Sequence, residues 1–223
     1  MAEMYGLFLE SQRCPDGVEL AHPPAIYDGA EPGLRFRSRT NRQEPFRREF
    51  ENLENPIVVE FVNAREDADR IKFFSKYGLL FVEKLIHPAA KNFGSDYDFV
   101  IASQTELRDS LTKATGPQVD ALQAINSSLG RYGPINLQPT FDLGGAAGAP
   151  RMVLKFSDLM QFMAMEIAMV AMQGAKLGTC EHCGAVFLTG PLTGRRSHAK
   201  YCSDRCRVAA MRVRNAAKLA NEL

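Results

Sequence analysis

Four cysteines near the C-terminus have the residue type and spacing of a metal site. Cys180 and Cys183 form a C-x2-C pair, and after an 18-residue gap Cys202 and Cys206 form a C-x3-C pair. Two close pairs at this separation can converge on one tetrahedral Zn(II). Thiolates can also hold Cu(I) or an iron–sulfur cluster, but this spacing is more typical of mononuclear zinc. A shell of four sulfurs leaves no position for water, so we predict a structural zinc and not a catalytic one.

The residues around the cysteines predict how the site is built. Gly184 permits a tight turn after the first pair. Ser203 is a suitable N-cap for a helix over residues 204–221, which places Cys206 in its first turn, where the positive helix end favours a thiolate. A tight turn, a hairpin-like loop and a cysteine pair on a helix together describe a treble-clef-like zinc unit.

Positive charge is concentrated beside these cysteines. Residues 195–223 carry eight Lys or Arg and two acids, in a chain whose net charge is only +1. The helix has small residues between its arginines and no wide apolar stripe, a pattern that suits approach to a phosphate backbone. The alternative interpretation is a solvated basic face. The residues that we assign to nucleic-acid contact are Arg195, Arg196, Lys200, Arg205, Arg207, Arg212, Arg214 and Lys218.

A second basic segment covers residues 35–48, with six arginines and one glutamate. At its start, the sequence LRFRSR from Leu34 to Arg39 alternates strictly, which predicts a strand with a basic outer face. We expect a charged edge strand, with phosphate contact as the alternative. Two basic segments in an otherwise acidic chain indicate a localised anionic partner.

The composition excludes several classes of protein. The chain has 223 residues and 45% hydrophobic content, enough for a core. No apolar run approaches the roughly 20 residues that span a bilayer, and the N-terminus lacks a secretory signal, so we expect a cytoplasmic protein without membrane contact. Clustered cysteines argue against a disulfide scaffold, and the isolated Cys14 is expected to pack as a small apolar side chain.

The elements that must position the site follow from the hydrophobic pattern. Residues 57–62 (IVVEFV) are rich in β-branched side chains and predict a strand. Asn63 is expected to cap the next helix. Helices are predicted over 64–77, ended by Gly78, over 96–114 and over 118–132. Strands over 135–143 and 152–156 are expected to form a hairpin around a glycine-rich loop.

A helix over 158–175, capped by Ser157, is apolar almost all round and is therefore predicted to be a buried core helix. Its one acid, Glu166, is expected near a helix edge or paired with an arginine. The fold class is thus α+β: a mixed N-terminal domain over residues 1–176 with a buried hydrophobic helix, then a small treble-clef-like zinc domain over 177–223.

Residues from about 119 to 214 resemble the C-terminal half of the ABATE/CGNR zinc-finger proteins. The shared features are the Ile167-Ala168 step in an apolar helix, the C-x2-C pair, the aromatic Phe187, and Tyr201-Cys202-Ser203 leading into a basic helix. IVVEFVN also resembles the early Leu-Val-Asn motif of the family. After Cys206 this chain has Arg-Val-Ala where the family has Gly-Asn-Arg, and it lacks the doubled arginine before the aromatic.

The resemblance implies a bacterial transcriptional regulator that binds DNA, with an N-terminal domain that senses a small-molecule effector or forms a homodimer. Three alternatives stay open: an RNA-binding protein, an adaptor whose zinc unit binds an acidic protein, and an enzyme whose site lies in the N-terminal domain. We do not predict an enzyme, because the sequence shows no phosphate loop and no nucleophile paired with a base.

Overall fold

The computed structural model describes residues 5–22, 33–40, 42–80, 94–117, 126, 138–142, 151–156 and 158–221. Helices and strands alternate irregularly along the chain, as expected of an α+β protein. In chain order the elements are β1 Tyr5–Arg13, β2 Val18–Ala21, β3 Arg35–Ser38, β4 Glu44–Glu49, α1 Ile57–Asn63, α2 Asp67–Tyr77, β5 Gly94–Asp96, α3 Tyr97–Ala114, β6 Gln138–Asp142, β7 Arg151–Phe156, α4 Leu159–Met172, β8 Lys176–Thr179, β9 Val186–Thr189 and α5 Asp204–Asn221.

In the part of the chain that the structure describes, the strands form three sheets. The largest has the order β4-β1-β7-β6, in which β1 and β7 are parallel and the other pairs are antiparallel. The second is the antiparallel sheet β2-β3-β5, and the third is the hairpin of β8 and β9. The predicted hairpin of β6 and β7 is confirmed. The LRFRSR segment is a strand, but the expectation of an edge strand was wrong, because β3 lies between β2 and β5.

The hydrophobic core is built around α4. Nearly every side chain of α4 from Leu159 to Ile167 is buried, which confirms a buried core helix. Its N-cap is Asp158, whose carboxylate accepts hydrogen bonds from the backbone N–H groups of Met160 and Gln161. The predicted cap, Ser157, lies outside the described residues. Cys14 is buried in the same core, as the sequence predicted.

The prediction of a strand over residues 57–62 was wrong, since these residues form the short helix α1. Glu166 of α4 explains the difference. Its two carboxylate oxygens accept hydrogen bonds from the backbone N–H groups of Ile57 (2.9 Å) and Val58 (2.7 Å), the first two residues of α1. Such a carboxylate satisfies donors that a helix N-terminus leaves unpaired and complements the helix dipole. Tertiary contact therefore overrides the β-propensity of the segment.

The other end of α1 is capped from α3. The side-chain amide of Gln104 donates to the carbonyls of Phe61 (2.7 Å) and Ala64 (2.8 Å), and Arg108 donates to the carbonyl of Val62. An acid at the N-terminus and a base at the C-terminus both match the polarity of the helix. Helix α1 is thus held at both ends by side chains of other helices.

Glu166 is buried, with 1% of its surface exposed, so the expectation of a helix edge or an arginine pair was wrong. Burial raises the pKa of this carboxyl to about 7, although the hydrogen bonds from Val58 and Ile57 and the charge of Arg48 act in the opposite direction. The carboxyl therefore titrates in the neutral pH range.

The helix predicted over 64–77 starts at Asp67, since residues 64–66 are not helical, and the helix predicted over 96–114 is confirmed. Helix α2 ends at Tyr77, and Gly78 caps it with a φ of 90°. Helix α3 begins after Asp96, whose side chain accepts a hydrogen bond from the Phe99 N–H group. The helix predicted over 118–132 lies outside the described residues, apart from residue 126, which is helical.

Candidate metal centre and basic helix

The first cysteine pair lies in the turn between β8 and β9. The Cys180 N–H group donates to the carbonyl of Ala185, and the Gly184 N–H group donates back to the carbonyl of Cys180, each at 2.9 Å. Gly184 has a φ of 69°, a left-handed conformation that glycine adopts without strain. The tight turn predicted from Gly184 is therefore confirmed, and it places both thiols on one turn.

The second pair lies at the start of α5. Ser203 precedes the helix, and its hydroxyl oxygen accepts a hydrogen bond from the Cys206 N–H group at 3.3 Å. Ser203 is thus the N-cap that the sequence predicted, and Cys206 lies in the first turn of α5.

The four sulfurs converge. The Sγ atoms of Cys180, Cys183, Cys202 and Cys206 all lie within 4.8 Å of one another. Two of these separations are 3.6 Å, from Cys183 to Cys202, and 3.5 Å, from Cys202 to Cys206. A tetrahedral zinc with Zn–S bonds of about 2.3 Å needs sulfur separations of about 3.8 Å. The cluster could therefore bind a metal ion such as zinc with little rearrangement.

The thiols differ in acidity. Burial raises the pKa of Cys180, but hydrogen bonds from the backbone N–H groups of Cys183, Cys202 and His182 outweigh it and lower that pKa to about 6. Burial and the neighbouring thiol of Cys206 raise the pKa of Cys202 to about 12, and the pKa of Cys183 is also raised. Four thiolates this close repel one another, so full deprotonation requires a cation among them.

The β8–β9 hairpin, whose turn carries Cys180 and Cys183, is attached to the rest of the chain through the end of α1. The Asn63 side chain makes two hydrogen bonds with Val186 of β9: its amide donates to the carbonyl at 2.8 Å, and its oxygen accepts from the N–H group at 2.9 Å. The guanidinium of Arg65 donates to the carbonyl of Gly184 at 2.7 Å. Val186 and Leu188 belong to the main hydrophobic core. The division into domains at residue 176 stays a prediction, and these contacts cross that boundary.

Asn63 and Arg65 were missed as residues of the site. We expected Asn63 to cap the next helix, but Asn63 is the last residue of α1, and α2 has Glu66 at its N-cap position. Its partner Val186 is 123 residues away, so nothing in the local sequence indicates the contact.

Three of the predicted basic residues have partners within the chain. Arg195 donates to the carbonyls of Cys202 (3.2 Å) and Glu54 (3.0 Å) and lies against the ring of Phe187. Arg195 therefore stabilises the loop that leads to Cys202 and connects it to Glu54. Exposed ion pairs join Lys200 to Glu181 and Arg207 to Asp204, each at 3.1 Å.

The other five basic residues are exposed to solvent. Beyond Ala210, every residue of α5 from 211 to 218 is exposed, including the apolar Met211 at 50% and Val213 at 63%. This half of the helix therefore projects from the metal site. The exposed cations are Arg196, Arg205, Arg212, Arg214 and Lys218.

Comparison with known proteins gives no relative: no family model matches the chain, and neither do any curated protein or solved structure. The resemblance to the ABATE/CGNR proteins therefore stays a prediction. Within the described residues, no helix combines the length and hydropathy needed to cross a membrane.

Proposed function

We propose that the chain is a zinc-stabilised DNA-binding protein that acts as a transcriptional regulator. The observation that carries the proposal is the direct attachment of an exposed, arginine-bearing helix to a cluster of four cysteines. In this proposal the zinc holds the start of α5 against the hairpin, α5 contacts the phosphate backbone, and the chain has no catalytic role.

Zinc is the metal that the sulfur geometry favours. Separations of 3.5 and 3.6 Å between sulfurs match a single central ion. An iron–sulfur cluster places several irons and sulfides between its cysteines, so their sulfurs would be farther apart. Four protein ligands leave no open position, which makes the role of the zinc structural.

DNA is the partner that the charge distribution favours. The exposed half of α5 carries Arg212, Arg214 and Lys218, and residues 211–218 contain no acid. A helical segment shorter than about 12–15 residues is marginally stable in water when nothing packs against it. A binding partner that neutralises the charge of this exposed half of α5 would therefore stabilise it. Phosphates at regular spacing supply that charge.

The experiment is a salt titration with two matched variants. Affinity of the full-length, zinc-loaded protein for a random 20-base-pair duplex is measured between low and physiological salt. One variant carries Arg212→Ala and Arg214→Ala on α5. The control carries Lys72→Ala and Lys113→Ala, which remove the same charge from exposed positions on α2 and α3, outside both basic segments. Full-length protein is required because Val186 and Leu188 of the hairpin are part of the core.

Each phosphate contact contributes about 0.9 to the slope of log affinity against log salt for duplex DNA. We therefore expect the slope to fall by about 2 in the α5 variant and to be unchanged in the control. Equal slopes in both variants would contradict the assignment of α5. Absence of binding at low salt would reject the function and favour an acidic protein partner, and preference for RNA would reject DNA as the target.

A further inference from the structure

Building on the proposed function, we propose that α5 lies in the major groove of duplex DNA, with Asn215 facing the base pairs. The two groups of cationic side chains on α5 then face the two phosphate strands on either side of the groove. Met211, one turn before Asn215, supplies an apolar contact on the same face.

The basic side chains of α5 form two rows on opposite sides of the helix. With Arg205 at zero and about 100° per residue, Arg212 lies at about 340°, in the same row. The second row contains Arg207, Arg214 and Lys218, at about 180° to 220° on the same scale. All five side chains are exposed. A single flat surface could contact only one row at a time, whereas a groove has a wall of phosphates on each side.

The position of Cys206 on α5 determines which side of the helix faces away from the metal site. Cys206 lies at about 100° and turns toward the other cysteines, so the outward side of the helix is at about 280°. Asn215 lies at about 280° and Met211 at about 240°, both between the two basic rows. Asn215 is exposed, and Met211 is 50% exposed.

The dimensions and the chemistry both fit duplex DNA. An α-helix with its side chains is about 10–12 Å wide, and the major groove of B-form DNA is about 12 Å wide. An asparagine side chain can pair with adenine through both N6 and N7, and an apolar side chain can contact the methyl group of thymine. The major groove of duplex RNA is too narrow and deep for a helix. The structure therefore favours DNA that contains an A·T pair at the centre of the contact.

The test is selection of bound sequences from a random duplex pool with full-length, zinc-loaded protein, followed by affinity measurements on the selected site. We expect the wild type to select a short motif with an A·T pair. Asn215→Ala should reduce discrimination at that pair about 5- to 150-fold, the value of one bidentate base contact. Arg214→Ala should weaken binding to selected and scrambled duplexes equally. The control is Val213→Ala, an exposed change on the side of the helix facing away from the groove, which should leave the motif unchanged.

Each outcome distinguishes this inference from the proposed function. Salt-dependent binding without a selected motif, or a motif unchanged by Asn215→Ala, would overturn the role of Asn215 and leave DNA binding in place. Equal loss of discrimination in Asn215→Ala and Val213→Ala would also overturn it, since it would indicate a general change in the helix. Failure to bind any duplex would overturn both.

Discussion

Replacing Glu166 with glutamine should change how the stability of the protein depends on pH. The ordinary pKa of this carboxyl is 4.5, and burial raises it to about 7 in the folded chain. Between these values the folded state binds a proton more tightly than the unfolded state. The free energy of unfolding should therefore decrease as pH rises from 4.5 to about 7 and level off above that range. Between pH 5.5 and pH 8, linkage gives a loss of about 2 kcal/mol.

Glutamine has the same shape but does not titrate, so the loss should be absent in Glu166→Gln. The variant should also carry a destabilisation that does not depend on its own titration, because the NH2 group of glutamine cannot accept the second of the two hydrogen bonds from Ile57 and Val58. One unsatisfied buried N–H group costs about 1–3 kcal/mol. The two effects are separable, because only the titration of Glu166 makes the free energy of unfolding change with pH.

The assay is urea unfolding of both proteins at several pH values between 5.5 and 8, with the exposed Glu51→Gln as control. Contributions of the other titrating groups, including the thiols, are common to the proteins and cancel in the difference. Glu51→Gln should follow the wild type. Parallel profiles for Glu166→Gln and the wild type would refute the reasoning, because they would mean that Glu166 has the same pKa in the folded and unfolded states.

Three further predictions concern the metal centre and the glycine turns. Cys206→Ser should lose zinc to a competing chelator while Cys14→Ser keeps it, and equal zinc content by elemental analysis would reject the metal assignment. Asn63→Ala should lower the free energy of unfolding by about 2 kcal/mol and speed zinc release to a chelator, because Val186 loses two hydrogen bonds; unchanged urea midpoints and release rates would contradict it. Gly78→Ala should cost about 3 kcal/mol, since its Cβ would lie 2.3 Å from the Gln12 carbonyl oxygen, whereas Gly174→Ala, with open space around it, should cost about 1 kcal/mol; equal costs by urea unfolding would be inconsistent with the clash.

The metal centre was predictable because its signal is local. Cys180 and Cys183 are three residues apart, and the Ser203 cap is three residues before Cys206, so spacing alone determines which groups can meet. The buried helix α4 was predictable for the same reason: an apolar pattern without a polar face has few solutions.

Helix α1 was not predictable from its own residues. IVVEFV has the composition of a strand, and the groups that make it a helix are Glu166, Gln104 and Arg108, which lie far away in the chain. The role of Glu166 was missed for a related reason. The sequence of an apolar helix with one acid does not show whether backbone N–H groups of another segment lie close to that acid. Tertiary packing determines whether such donors are present.

The capping of α1 by Glu166 also has a consequence for synthesis of the chain. Ile57 leaves the ribosome 109 residues before Glu166. At about 5–20 residues per second, the apolar segment that becomes α1 waits about 5–20 seconds for the carboxylate that caps it. During that interval the segment can pack against α2, since Phe61 contacts Phe73 and Phe74, but its N-terminal backbone N–H groups lack the carboxylate that accepts from them. Helix α1 therefore reaches its final, capped form only after α4 has been synthesised, although most of its packing partners precede α4 in the chain.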